Sequence, residues 1–197
     1  FGPRAPTMNG GSGLLGMDGL DLAGKRVLVR LDLNVPQKGP VITDDSRIRE
    51  SLPTVRDLVR RRARVILMSH LGRPKGKPDP AFSLAPVAKR LSEMLGTPVP
   101  LAPSCIGPDA EKMAMALKDG DVMLLESLRF DPREEKNDPE FSKALARLGQ
   151  AYVNDAFGAA HRAHASTQGV ARILVPAAAG FLIIKELEAL QKLVVSP

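Results

Sequence analysis

The sequence has no tryptophan, one tyrosine and six phenylalanines in 197 residues, and the phenylalanines are scattered rather than interleaved with arginine. Stacking platforms for single-stranded nucleic acid are therefore lacking. A single cysteine, Cys105, excludes a disulfide framework and a cysteine-based zinc site. The longest apolar run, Ile173 to Ile184, is interrupted by Pro176 and Gly180 and is too short to span a bilayer. No charged-then-apolar leader opens the sequence, so a cytoplasmic location is expected. Glycine and proline, 17 each, are spread too evenly for a disordered chain and announce many loops instead.

What the chain has in excess is arginine. The formal net charge is +6, and 17 of the 28 basic residues are Arg. Guanidinium binds phosphate and carboxylate bidentately, so an anionic partner is expected. Nucleic acid is the usual partner of such a chain. With so few aromatics, a small polyanionic substrate is the competing reading.

Residues 1–16 are rich in Gly and Pro without apolar periodicity and read as a flexible extension. Within them Gly11-Ser-Gly-Leu-Leu-Gly16 matches a dinucleotide-binding glycine pattern, but no strand precedes it. From Lys25 strands and helices alternate. Strands are expected at 26–31, 64–69, 121–126 and 151–155, with a short weak one at 98–101. Helices are expected at 46–62 (with Pro53 inside), from Ser83 as cap to Gly96, at 109–117, from Asp138 as cap and Pro139 to Gly149, and at 180–194. Strands separated by helices of this length imply right-handed βαβ units. The expected fold is α/β, a three-layer Rossmann-like parallel sheet with helices on both faces. Its boundaries are 17–178 for the domain and 179–197 for the helix that leaves it.

In such sheets ligands bind at the carboxyl ends of the strands. Those ends carry Asp32-Leu33-Asn34, His70-Leu71-Gly72-Arg73, Glu126 to Arg129, and Asp155 with Gly158 to Arg162, while Arg47 stands just before the first helix. Any one arginine after a strand is more often a surface charge or a helix cap, and His70 alone more often a satisfied core histidine. Gathered on one rim, without carboxylates in bulk nearby, they fit a substrate with two anionic groups, such as a phosphorylated small acid. Other patterns are weaker. Gly72 to Lys77 resembles a P-loop but is short, with Pro78 in place of Ser or Thr. His161 and His164 lack a third zinc ligand. Arg60-Arg61-Arg62 with Arg64 most simply closes a helix C-terminus. Cys105 has no assignable base and reads as a small packed hydrophobe.

At these same strand ends the sequence resembles the phosphoglycerate kinase family. The matching segments are Arg30-Leu-Asp-Leu-Asn34-Val-Pro, Thr43-Asp-Asp-Ser-Arg47-Ile-Arg, Met68-Ser-His70-Leu-Gly-Arg73-Pro and Leu125-Glu-Ser-Leu-Arg129-Phe. The longest runs from Tyr152 through His161-Arg162-Ala-His164 to Ser166. The likeness extends from about Leu20 to near the end and leaves out Phe1 to Gly16. It implies the substrate-binding one of two α/β domains joined by a helix, in a cytoplasmic, monomeric glycolytic enzyme. The substrate would be 3-phosphoglycerate or 1,3-bisphosphoglycerate. Mg-ATP or Mg-ADP would serve as co-substrate on a second domain beyond Pro197, so this portion alone would be inactive.

Carried over by motif, the substrate-binding residues are Asp32, Leu33, Asn34, Arg47, His70, Leu71, Gly72, Arg73, Arg129 and Arg162, with Arg47 also catalytic and no metal ligand in this chain. Ser127 departs from the Asn usual in the family. The alternative is a non-catalytic anion- or nucleic-acid-binding module that uses the same basic rim.

Overall fold

Each central strand divides its side chains between two apolar clusters. In β1 (Arg26–Arg30) Val27 and Val29 enter one and Leu28 the other; in β4 (Arg64–Met68) Val65 and Leu67 enter the first, Ile66 and Met68 the second. Strands buried on both faces must be covered on both. In this computed structural model, which describes residues 15–195, the first cluster is closed by α1 (Ser46–Arg60) and α2 (Ala85–Leu95). Their apolar positions, Ile48, Leu52, Val55 and Leu58 on α1 and Val87 and Leu91 on α2, recur at helical spacing. The second cluster is closed by α3 (Pro108–Ala116), through Ala110 and Ala114, and α4 (Pro139–Ala146), through Phe141 and Leu145. This is the expected three-layer arrangement.

The five-stranded sheet runs β5 (Val122–Leu124), β4, β1, β6 (Ala151–Asn154), β7 (Ala177–Ala179), with every pairing parallel. Leu28 of β1 stands opposite Ile66 on one side and Tyr152 on the other. The chain travels from β1 outward to β4 and β5, then returns to the opposite side of β1 to lay down β6 and β7. The strand order therefore reverses between β1 and β6. A small antiparallel hairpin, β2 (Gln37–Lys38) and β3 (Val41–Ile42), projects between β1 and α1. No helix among the described residues is long and apolar enough to cross a membrane.

Several expectations need correction. The weak strand at 98–101 reduces to one bridge, Leu101 to Leu124, at the β5 edge. The helix capped by Asp138 ends at Ala146, three residues before Gly149. Ser83 is not the N-cap of α2, which is Leu84, although the Ser83 hydroxyl does accept from Ala85 N–H at 3.2 Å. β7 was not expected, and Ala179 belongs to it rather than to the departing helix. The proposed extension ends sooner than Gly16: Leu15 C=O accepts from Ala179 N–H at 2.8 Å, and Gly16 bridges Ala179. Residues 1–14, with most of the Gly11–Gly16 pattern, lie outside the described residues.

The last helix, α6 (Phe181–Val195), is anchored on the sheet by a carboxylate. Asp155, buried just past β6, accepts from the backbone N–H of Leu182 at 2.8 Å and of Ile183 at 3.4 Å. A negative group here meets the positive end of the helix dipole. Gly180 makes the approach possible, since a Cβ at that position would lie 2.3 Å from Asp155 Oδ1. Gly180→Ala is therefore expected to destabilise the fold by about 1–3 kcal/mol, the cost typical of overpacking. Urea unfolding checks this, and an unchanged midpoint would show that α6 does not seat on Asp155.

Candidate active site

The reversal of strand order between β1 and β6 opens a crevice at the carboxyl ends of the strands, where open α/β sheets bind ligands. A cavity of about 300 Å³ lies there, lined by Asp32, Asn34, Arg47, His70, Gly72, Arg73, Arg129, Gly158, Ala159 and Arg162. Eight of the ten expected site residues are thus brought together. Leu33 and Leu71 are not: their side chains are buried in the first apolar cluster, so they hold the rim in place from beneath. Arg47 stands in the first turn of α1, rather than in a loop before it.

Backbone geometry shapes the rim. Gly72 adopts a φ of 56°, and a Cβ there would lie 2.4 Å from the Phe82 ring. Asn34 Oδ1 accepts from Gly72 N–H at 2.8 Å, which leaves the Asn34 amide NH₂ as the available donor. Arg129 donates to Gly72 C=O at 3.1 Å and lies 3.5 Å from Glu135. Ser69 ties the ends of β1 and β4 together, accepting from Leu33 N–H at 3.0 Å and donating to Leu31 C=O at 2.8 Å. Ser127, where the family resemblance expects Asn, is fully buried and its hydroxyl has no partner.

The expectation of few nearby carboxylates also needs correction. Arg47 donates to both oxygens of Asp32 at 2.9 Å, and Arg129 has Glu135. Arg73 and Arg162 are exposed and, among the described residues, have no carboxylate partner. The remaining basic run is neutralised elsewhere. Arg60 and Arg61 pair with Asp57, and Arg62 and Arg64 with Asp119. A larger surface groove of about 580 Å³ between α1, α2 and the hairpin carries mutually paired charges, Arg90 lying 2.8 Å from Asp45 and 2.7 Å from Glu93. Arg73 and Arg162, which lack such a pairing among the described residues, line the smaller cavity.

His70 is the electrostatically unusual member. Burial, together with the positive charges of Arg30, Arg129 and Arg162, pushes its pKa down to about 2, so the ring is neutral. Arg30 Nη2 lies 3.1 Å from His70 Nδ1. Arginine can only donate, so Nδ1 is the acceptor and Nε2 carries the proton. Arg30 itself is fully buried, donating through Nε to Ser166 Oγ at 2.9 Å and through Nη1 to Leu31 C=O. Ser166 in turn donates to the buried Glu134, and His164 Nδ1 lies 3.9 Å from the same carboxylate. Sequence reasoning assigned no role to Arg30, Glu134 or Ser166. The one available signal was an arginine at the end of an apolar strand.

The fold and the cavity define the class: a doubly wound α/β domain with an arginine-rich cavity at its topological switch point. A family model described as phosphoglycerate kinase matches residues 17–197, and the chain belongs to that family. Phosphoglycerate kinase of Parasynechococcus marenigrum (strain WH8102) is 60% identical over 178 residues, covering 90% of this chain and 44% of the relative. That of Chlorobium luteolum is 59% identical over 179 residues, covering 90% and 45%. Among solved structures, phosphoglycerate kinase from Coxiella burnetii superposes with a TM-score of 0.82 at 44% identity, covering 91% of this chain and 44% of that one. The enzyme from Pyrococcus horikoshii OT3 gives 0.82 at 36% identity, covering 90% and 45%. The chain spans less than half the length of the relatives it matches.

The depressed His70 pKa links to stability. The unfolded ring takes up a proton as pH falls through its ordinary 6.5, while the folded ring stays neutral down to about 2. Acidification therefore favours the unfolded state, with a slope from this group approaching about 1.4 kcal/mol per pH unit below pH 6.5. His70→Gln should remove that share of the slope between pH 6.5 and 5. Denaturant unfolding of both proteins across this range checks it, and equal slopes would mean that His70 titrates freely in the fold.

Proposed function

We propose that this domain is the phosphoglycerate-binding part of a phosphoglycerate kinase, a glycolytic phosphotransferase that moves a phosphoryl group between 1,3-bisphosphoglycerate and ADP. The observation that carries the reading is the convergence of four arginines, a neutral histidine and an asparagine amide on one cavity at the switch point. Arg73, Arg129 and Arg162, with His70, hold the anionic ends of the substrate. The Asp32 carboxylate accepts from the substrate hydroxyl, and the Asn34 amide donates to the carboxyl end. The terminal oxygen of ADP attacks the phosphorus of the acyl phosphate in line, and the acyl oxygen leaves as the carboxylate of 3-phosphoglycerate. Such transfers depend on positioning and charge stabilisation.

The nucleotide and its Mg²⁺ belong to the remaining part of the polypeptide in this reading. Four arginines line the cavity described above and repel a cation, and its one carboxylate, Asp32, is engaged by Arg47. Arg47 is the residue assigned to the transferring phosphoryl group. Its partner Asp32 keeps only 19% of its side chain exposed, while Arg47 keeps 48%, so the arginine end of the pair is the one free to turn toward an incoming phosphate. The nucleic-acid reading has less support, because the Arg60–Arg64 cluster is already paired with aspartates.

Calorimetric titration of this chain with 3-phosphoglycerate at low salt is expected to show weak binding that fades as salt screens the site. Arg129→Ala and Arg162→Ala should each weaken it. No heat at millimolar ligand would sink the reading. In the complete enzyme Arg47→Ala should lower kcat by at least about 10²-fold with a smaller change in KM, since a contact made only in the transition state acts on kcat. Arg47→Lys should restore only part of the loss, because a point charge does not replace the planar fork. An Arg47→Ala enzyme with near-normal kcat and a raised KM would reassign Arg47 to ground-state binding.

A further inference from the structure

We infer that Glu134 is a positioning residue for the anion site, acting through Ser166 and Arg30 to hold the His70 ring in one tautomer and one orientation. Glu134 does not line the cavity. It sits in the turn after the strand end that carries Arg129, and its side chain is only 1% exposed. Burial raises the Glu134 pKa, opposed by the Arg30 charge and the Ser166 hydrogen bonds; a buried carboxylate costs several kcal/mol unless such partners compensate, so its presence needs a reason. Its hydrogen bonds both come from one residue: Ser166 Oγ donates to Oε1 at 2.5 Å and Ser166 N–H donates to Oε2 at 3.0 Å.

The direction of each bond follows from donor and acceptor chemistry. The single hydroxyl proton of Ser166 is committed to Glu134, which leaves the Ser166 oxygen as acceptor for Arg30 Nε–H at 2.9 Å. Fixing Nε in turn fixes the planar guanidinium, and with it Nη2, 3.1 Å from His70 Nδ1. Because arginine has no acceptor, the chain admits one His70 tautomer, with the proton on Nε2. A side chain elsewhere in the turn thus decides which nitrogen of a cavity-lining ring is a donor. The charged or titratable groups that face His70 are Arg30 from β1, Arg129 from the turn after β5, and Arg162 and His164 from the segment that follows β6. None is acidic, so nothing in contact with the ring competes for the role given to the relay.

The consequence for ligand binding rests on the phosphoglycerate reading; the tautomer does not. The test uses this chain labelled with ¹⁵N, with imidazole ¹H–¹⁵N correlation spectra assigned through His70→Gln. In the unaltered chain His70 should show a protonated Nε2 and a bare Nδ1, unchanged from pH 8 to pH 5. Ser166→Ala keeps both charges and removes the relay. It should move the His70 nitrogens toward a tautomeric average and raise the Kd for 3-phosphoglycerate about tenfold, the loss of one hydrogen bond. Ser166→Thr, which retains the hydroxyl, should keep the original spectrum. Glu134→Asp retains charge and draws the acceptor back by one methylene, and it should perturb the spectrum as Ser166→Ala does; it serves if Ser166→Ala does not fold. A lowered melting temperature with an unchanged His70 spectrum would overturn the inference and leave Glu134 as a structural residue only. So would a protonated Nδ1 in the unaltered chain, a result that needs no variant. Spectra that shift as described in a chain showing no 3-phosphoglycerate binding would uphold the relay and remove the substrate reading instead.

Discussion

Like-charge repulsion is the constraint around which the rim is organised. Like unit charges repel at short range across a protein surface, and this cavity assembles Arg47, Arg73, Arg129 and Arg162, with a fifth, buried arginine, Arg30, behind His70. The tethers share a pattern. The guanidinium is met by an acceptor from a different segment: Asp32 for Arg47, Glu135 and the Gly72 carbonyl for Arg129, and Ser166 backed by Glu134 for Arg30. Arg73 and Arg162 are left to solvent, which screens them. A dianion bound as proposed would relieve the remaining repulsion.

The neutrality of His70 belongs to this balance. A protonated imidazole beside three guanidinium groups would add a sixth positive charge at a buried position. Kept neutral, the ring still offers an N–H to an anion while adding no repulsion. The design depends on an acceptor-only Nδ1, and hence on an arginine whose own orientation is set from the far side. The arginine that closes β1 after Val27-Leu28-Val29 has this role.

Much of this was legible in the sequence, and the remainder was not for identifiable reasons. Strands rich in Val, Ile and Leu, such as Arg26–Arg30 and Arg64–Met68, are marked by their apolar runs, whereas β7 is three alanines, which have little strand preference of their own. It exists because β6 offers it a ladder. Cavity residues at strand ends could be read because parallel topology delivers every carboxyl end to one edge. Motif matching could not tell lining from support, so Leu33 and Leu71 came along with their neighbours although both point into the core. Glu134, Ser166 and Arg30 were silent because their roles exist only through contacts spanning up to 136 residues of sequence. Local pattern carries no trace of such a pairing.

The helix that leaves the sheet is tied to the same site. Leu182 and Glu186 of α6 line a cavity of about 250 Å³ with Asp32, Arg47, Glu50, Phe157 and Gly158, so it shares three residues with the arginine-lined cavity. The orientation of α6 thus sets one wall beside Arg47. That orientation is fixed by Asp155, whose carboxyl is raised to about 6 by burial and whose Oδ2 is buried without a partner. Holding the charge there costs stability at neutral pH, because the unfolded carboxyl ionises more readily than the folded one. The cost is offset locally by two backbone N–H groups at the start of the helix, the strongest place for a negative charge to sit. The domain accepts an expensive buried acid at the one point where a departing helix must be aimed, and the helix so aimed walls the side of the cavity where Arg47 is parked.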